Sequence, residues 1–174
     1  MIYDLAADTW GKEERKAIND VVDSGRLTMG PKVAEFETSF AKYFGKKYAI
    51  MLNSGSSANL VGVASMFYKK EKPLKAGDEV IVPNPSFAAS ANSVLYCEGE
   101  VVFSDINSDT YLLDINKVRE LLEKSPKGTY QGIIPVDFAG RAVNLEEFRK
   151  LADKFGLWII EDSCHSPGGF FKDS

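Results

Sequence analysis

Hydrophobic side chains recur at helical spacing in two segments near the start of the chain. Residues three and four positions apart share one face of an α-helix, so each segment predicts an amphipathic helix. Glycine and proline between the two segments predict a break there. We therefore expect residues 1–45 to form an N-terminal helical segment. The apolar positions that carry this pattern are Ala17, Ile18, Val21, Val22, Phe36, Phe40, Tyr43 and Phe44.

After residue 45 the pattern changes to short apolar runs separated by stretches of helical length. The runs lie at residues 48–52, 80–82, 101–103, 133–136 and 157–160. Short continuous apolar runs are typical of strands that are buried on both faces, and their alternation with helices is typical of a parallel sheet. Residues 46–174 are thus predicted to form an α/β domain with a mostly parallel sheet flanked by helices.

The clearest helix is predicted over residues 145–155, where five apolar residues fall on one face. Asn144 precedes this segment as a candidate N-cap, and Glu147 follows three residues later in the spacing of a capping box. The apolar face should pack against the sheet.

Composition and charge exclude several classes of protein. The 174 residues are 44% hydrophobic and 26% charged, which suits a folded domain rather than a disordered or fibrous chain. The net charge of −4 gives no general attraction for nucleic acid or an acidic membrane surface. The first ten residues lack the apolar run of a signal peptide or anchor. Two cysteines are too few for a disulfide framework, so we expect a cytoplasmic protein.

The end of the chain predicts an incomplete domain. Residues 168–174 read GGFFKDS, which is typical of a turn that enters a further strand. The predicted sheet domain would then continue beyond Ser174.

Candidate chemistry lies where the predicted strands end, because ligands of open α/β sheets bind beyond the carboxyl ends of the strands. The segment NSGSSAN at residues 53–59 follows one run and begins a helix. Its small residues and free backbone N–H groups suit a phosphate, and an ordinary serine-rich helix cap is the alternative. It is not a P-loop, because the Gly-Lys-Ser/Thr ending is missing.

An aromatic residue, Phe87, follows the next strand in the segment PNPSFAAS at residues 83–90. The prolines end the strand and a helix begins beside this ring. Phe87 therefore suits stacking on a planar ligand, although a core position is the other interpretation.

Asp162 follows the run at residues 157–160. A carboxylate there is costly to bury without a partner, and a protonated ring nitrogen would be such a partner. Capping of the next turn is the alternative role. His165, the only histidine, is placed to reach the same ligand or to be structural.

Two other types of site are disfavoured. Cys164 and His165 are neighbours, and in extended backbone they would point to opposite faces, which argues against a thiol nucleophile with its base. One histidine and two distant cysteines give no recognisable metal-ligand spacing.

Taken together, these segments resemble the DegT/StrS family of pyridoxal-phosphate-dependent nucleotide-sugar aminotransferases, of fold type I in the aspartate aminotransferase superfamily. The resemblance runs from residue 25 to residue 168 and depends on the joint order of several motifs. These are GRLTMG at 25–30, NSGSSA at 53–58, GDEVI at 77–81, PSF at 85–87, PVDFAG at 135–140 and EDSCH at 161–165.

The resemblance implies that residues 46–174 are the front part of the large domain that binds pyridoxal 5'-phosphate. It also implies roles for the matching positions. Ser56 and Ser57 would bind the cofactor phosphate, Phe87 would stack on the pyridine ring, Asp162 would pair with its nitrogen, His165 would lie near the ring hydroxyl, and Thr28 and Gly30 would approach the sugar substrate.

The reaction implied is transfer of an amino group, commonly from glutamate, to a nucleotide-linked keto-sugar in amino-sugar and polysaccharide biosynthesis. Homodimers with shared active sites are also implied. The lysine that forms the Schiff base is expected beyond Ser174, since Lys172 lies in the wrong context. A sugar 3-dehydratase of the same family, with histidine in place of that lysine, is the alternative enzyme. An isolated, inactive scaffold is the non-enzymatic alternative.

Overall fold

A computed structural model of the protein describes residues 9–169. They fall into two compact units, of which the first ends at Met51 and the second begins at Leu52. Residues 1–8 and 170–174 are outside the described range. The predictions for Lys172 and for a strand after residue 169 therefore lie outside the described residues, as does most of the N-terminal segment judged for a signal peptide.

The first unit contains the two predicted helices, α1 (Lys12–Asp23) and α2 (Pro31–Tyr43). Pro31 opens α2, a position where its missing N–H and fixed φ do no harm. Along α2, Phe40 contacts Phe36 and Phe44 with ring centroids 5.4 and 4.6 Å apart. Within residues 9–51 only Ala41 is buried, so most apolar side chains of this unit are exposed.

The second unit is built on a sheet of four parallel strands, which are β1 (Glu79–Asn84), β2 (Glu100–Asp105), β3 (Tyr130–Ile133) and β4 (Trp158–Ile159). Their order in the sheet is β2-β1-β3-β4. The predicted α/β fold with a parallel sheet is therefore confirmed.

Helices cover both faces of this sheet. They are α3 (Gly55–Ser65), α4 (Ala88–Tyr96), α5 (Ile115–Lys124) and α6 (Leu145–Phe155), with short 3₁₀ turns at Met66–Tyr68 and Phe138–Gly140. Side chains alternate along β1, so Val80 and Val82 join the core beside α3 and α4, while Ile81 joins the core beside α5 and α6. None of the helices in residues 9–169 has both the length and the apolar character needed to cross a bilayer.

Helix α6 has the predicted bounds and the predicted cap. Asn144 Oδ1 accepts a hydrogen bond from the Glu147 amide at 3.3 Å. At the other end Gly156 adopts φ 75°, the left-handed conformation that lets the chain turn directly into β4.

A close contact between β3 and β4 requires glycine at position 132. Gly132 pairs with Trp158 in the ladder, and a Cβ at this glycine would lie 2.3 Å from the indole ring. The absent side chain lets Trp158 lie flat on β3, where it is 7% exposed. This contact fixes the strand that leads to Asp162.

The prediction of a strand at residues 48–52 is wrong in this structure. The segment has no regular secondary structure, and no strand of the described residues pairs with it. Tyr48 and Ile50 are each 75% exposed. An apolar run becomes a strand only where a neighbour supplies hydrogen bonds, and periodicity does not report that neighbour.

Candidate functional site

An open cavity of about 520 Å³ lies beyond the carboxyl ends of β1, β3 and β4. This is the edge at which parallel α/β sheets bind ligands. Four of the predicted site residues, Ser56, Phe87, Asp162 and His165, come together here. The lining consists of Gly55, Ser56, Asn59, Phe87, Ala89, Val136, Phe138, Asp162, Cys164 and His165.

The backbone of Asp162 is held by the sheet itself. Its amide donates to the Pro135 carbonyl at 2.9 Å, and its carbonyl accepts from the Asp137 amide at 3.0 Å. A parallel bridge between Val136 and Asp162 thus continues the pairing of β3 with β4 past the end of both strands. The carboxylate is therefore presented from fixed backbone rather than from a loose loop.

The Asp162 side chain is 9% exposed and accepts hydrogen bonds from three directions. Oδ2 accepts from Asn59 Nδ2 at 2.7 Å and from Ser90 Oγ at 3.2 Å. Oδ1 accepts from the Cys164 amide at 3.3 Å. No lysine or arginine of the described residues forms an ion pair with this carboxylate.

Burial of Asp162 opposes its ionisation, but hydrogen bonds from Asn59, Cys164 and Ser90 outweigh burial and leave its pKa below the ordinary value. The site therefore presents an ionised, nearly buried carboxylate without a cationic partner among residues 9–169. This arrangement suits a ligand that brings its own positive charge.

The ionised Asp162 carboxylate should stabilise the fold at neutral pH and lose this effect in acid. The folded pKa of Asp162 lies below its value of about 3.8 in an unfolded chain, so ionisation stabilises the fold above that pH, and the contribution is lost as the pH falls through the folded pKa. We expect the difference in unfolding free energy between wild type and Asp162→Asn to shrink as the pH drops below 3.8. Urea denaturation of both proteins from neutral pH downward measures this, and a constant difference would contradict it.

The start of α3 supplies backbone donors at the cavity. Ser54 caps the helix, and its Oγ accepts the Ser57 amide at 3.1 Å. The Gly55 and Ser56 amides make no hydrogen bond within the described residues, and both residues line the cavity. Ser57 lines a neighbouring cavity of about 350 Å³, to which Ser56 also belongs. The predicted phosphate site is thus a helix N-terminus at which Ser56 touches both cavities.

Phe87 lies at the boundary of the same two cavities, where it precedes α4. The residue is 76% exposed, and it is absent from both hydrophobic cores. The interpretation of Phe87 as a core residue is therefore wrong, because the chain leaves β1 through Pro85 and carries this ring outward. An exposed ring at a cavity is available for stacking.

His165 is oriented by backbone. Its Nδ1 accepts the Ala139 amide at 3.2 Å, so the proton of the neutral imidazole lies on Nε2. Ala139 donates from a left-handed conformation with φ 54°. The Phe138 ring meets the imidazole edge-on at 6.0 Å. The histidine therefore offers an N–H donor at the cavity lining.

Cys164 is unsuited to act as a nucleophile. Cys164 is an exposed residue, but partial desolvation of its thiol, together with the adjacent Asp162 carboxylate, raises the pKa of that thiol to about 11. At neutral pH the thiol is almost entirely protonated, and only the thiolate is strongly nucleophilic. This agrees with the argument from sequence against a thiol hydrolase.

A second buried carboxylate, Asp137, ties together the two loops that carry Phe138 and His165. It is 2% exposed, and its Oδ1 accepts the Val143 amide at 2.9 Å. Its Oδ2 accepts Ser166 Oγ at 2.6 Å. Asp137 does not line the cavity itself, but its hydrogen bonds fix the loops that carry the lining residues Phe138 and His165.

Thr28 and Gly30 lie in the first unit, where they line an open depression of about 440 Å³ together with Arg26 and Met29. Their proposed approach to a sugar stays a prediction.

Asn59, Ser90 and Asp137 were missed from the sequence as site residues. Asn59 and Ser90 lie 103 and 72 residues from Asp162, and local spacing does not reveal such pairs. One available signal was the occurrence of Asn59 in an otherwise small or apolar stretch of α3, since a buried amide needs a partner.

Comparison with known proteins identifies the family. The sequence profile of the DegT/DnrJ/EryC1/StrS aminotransferase family matches residues 8–173. The chain belongs to this family. Its members are pyridoxal-phosphate-dependent enzymes of fold type I, as the family resemblance implied.

Individual relatives include enzymes of two reaction types. The GDP-4-keto-6-deoxy-D-mannose 3-dehydratase of Escherichia coli O55:H7 (strain CB9615 / EPEC) is 39% identical over 171 residues, which are 98% of this chain and 43% of the relative. The 3-oxo-glucose-6-phosphate:glutamate aminotransferase of Bacillus subtilis (strain 168) is 32% identical, over 87% of this chain and 32% of the relative.

Among solved structures, the E. coli GDP-4-keto-6-deoxy-D-mannose-3-dehydratase with bound hydrated PLP superposes with a TM-score of 0.88 and 38% identity. The match covers 99% of this chain and 43% of that one. The chain thus spans less than half the length of these relatives.

Proposed function

We propose that the protein binds pyridoxal 5'-phosphate and acts on a nucleotide-linked keto-sugar. The single observation that carries this proposal is Asp162, an ionised and nearly buried carboxylate that lines a cavity without a cationic partner among the described residues. A protonated pyridine nitrogen is the charge that such a group would accept.

The rest of the lining fits the same ligand. The Gly55 and Ser56 amides at the start of α3 would hold the phosphate. The exposed Phe87 ring would stack on the pyridine, and His165 would donate to an oxygen on the ring. Bound there, the cofactor supplies an electron sink for cleavage of bonds next to an amine. Asp162 keeps the ring nitrogen protonated, and that makes the sink effective.

For the reaction, we propose 3-dehydration of a nucleotide-linked 4-keto-6-deoxy sugar. It is favoured by the higher identity to the GDP-4-keto-6-deoxy-D-mannose 3-dehydratase, 39% against 32% for the aminotransferase. Transamination of a keto-sugar, the leading prediction from sequence, is the second candidate. The two would differ in the residue expected downstream of Ser174, histidine for dehydration and lysine for transamination.

Product analysis separates the two reactions. Full-length protein with pyridoxal phosphate, glutamate and GDP-4-keto-6-deoxy-D-mannose should release ammonia and give a sugar that lacks one oxygen. Transamination would instead retain the nitrogen in the sugar and release no ammonia. Without any change in the sugar, and without a bound chromophore in the visible spectrum, both candidates would be wrong.

The partners of the whole protein are proposals of the same kind. We infer a nucleotide sugar and glutamate as ligands and a homodimer as the assembly, in the cytoplasm. Size-exclusion chromatography with light scattering would test the dimer.

A further inference from the structure

Two buried side chains from different helices converge on one oxygen of Asp162. Asn59 of α3 is 7% exposed and donates to Oδ2 at 2.7 Å, while Ser90 of α4 is fully buried and donates to the same atom at 3.2 Å. Oδ2 is therefore occupied by two protein donors.

The other carboxylate oxygen is less engaged. Oδ1 accepts only the Cys164 amide among the backbone groups, at the long distance of 3.3 Å. The Cys164 thiol also interacts with the carboxylate, but a thiol is a weak donor. A carboxylate oxygen can accept more than one hydrogen bond, so Oδ1 keeps the capacity to bind a ligand.

From this asymmetry we propose that Asn59 and Ser90 are positioning residues: they fix the plane of the Asp162 carboxylate so that Oδ1 is presented to a cationic ring atom of the ligand. The inference rests on the proposed function and deepens it. Asn59 also lies one helical turn after Gly55, at the start of α3. A single helix would therefore set both the phosphate anchor and the carboxylate that meets the ring nitrogen.

The test compares two ligands that differ at that nitrogen. Pyridoxal phosphate and its 1-deaza analogue, with carbon in place of the ring nitrogen, are titrated against full-length wild type, Asn59→Leu and Ser90→Ala. Wild type should prefer pyridoxal phosphate. Asn59→Leu should reduce that preference by about tenfold, because it removes the shorter hydrogen bond to a charged group, and Ser90→Ala should reduce it by about threefold.

Ser93→Ala is the matched control. It deletes the same atom from the same helix at a similarly buried position, 2% exposed, but its hydroxyl donates within the helix, to the Ser90 carbonyl at 2.8 Å, and not to Asp162. It should leave the ligand preference at the wild-type value. Ser90→Ala changes a single atom and supplies the test alone if Asn59→Leu does not yield folded protein.

Loss of affinity for both ligands by the same factor would show a merely structural role for Asn59 and Ser90 and would overturn the inference. So would an unchanged preference in both variants while wild type discriminates between the ligands. If wild type binds pyridoxal phosphate no better than the deaza analogue, the proposed function itself is wrong. This result differs from the two that overturn only the positioning role of Asn59 and Ser90.

Discussion

Asp162→Asn is expected to lower the affinity for pyridoxal phosphate by roughly 100-fold or more. The amide keeps the size of the side chain but carries no charge, so a protonated ring nitrogen in this nearly buried place would lose its counter-charge. Absorption titration of the purified full-length protein measures the dissociation constant.

Asp105→Asn is a suitable control for the Asp162 experiment. Asp105 ends β2 much as Asp162 follows β4, but it is exposed and does not belong to the described lining of the cavity. Its replacement should leave the affinity unchanged. Equal effects of the two substitutions, or no effect of either, would contradict the role given to Asp162.

Asp137→Ala should lower the free energy of unfolding by about 2–3 kcal/mol, because the Val143 amide and the Ser166 hydroxyl both lose their acceptor. Asp137→Asn should cost clearly less, since the asparagine oxygen can still accept from Val143 and its amide group can donate to Ser166 Oγ. Urea denaturation of the three proteins measures the difference. Similar losses for alanine and asparagine would show that charge, and not the two hydrogen bonds, is what matters at this position.

Elements whose signals are local were predicted well. The apolar face of helix α6, its Asn144 cap and its end at Phe155 all follow from residues that are close together in sequence, and the structure confirms all three. The run at residues 48–52 has an equally clear apolar character, yet it forms no strand with any described residue. Strand formation depends on a partner that the run itself does not encode.

The same distinction applies to the site. Phe87, Asp162 and His165 were predicted because each follows a strand end, and parallel topology brings strand ends together. The donors to Asp162 were not predicted, because Asn59 and Ser90 reach it through the packing of α3 and α4 above the sheet. Hydrogen bonds across such distances in sequence are consequences of the fold.

The residues that line the cavity differ in how firmly the fold holds them. The backbone at Asp162 is anchored by main-chain bonds to Pro135 and Asp137, and its carboxylate is held by hydrogen bonds from Asn59 and Ser90. The exposed Phe87 ring lines the same cavity and belongs to neither buried core. The Phe87 ring is therefore freer than the Asp162 carboxylate to adapt to ligands of different shape. Variants at position 87 should change selectivity among ligands while the negative charge of Asp162 stays in place.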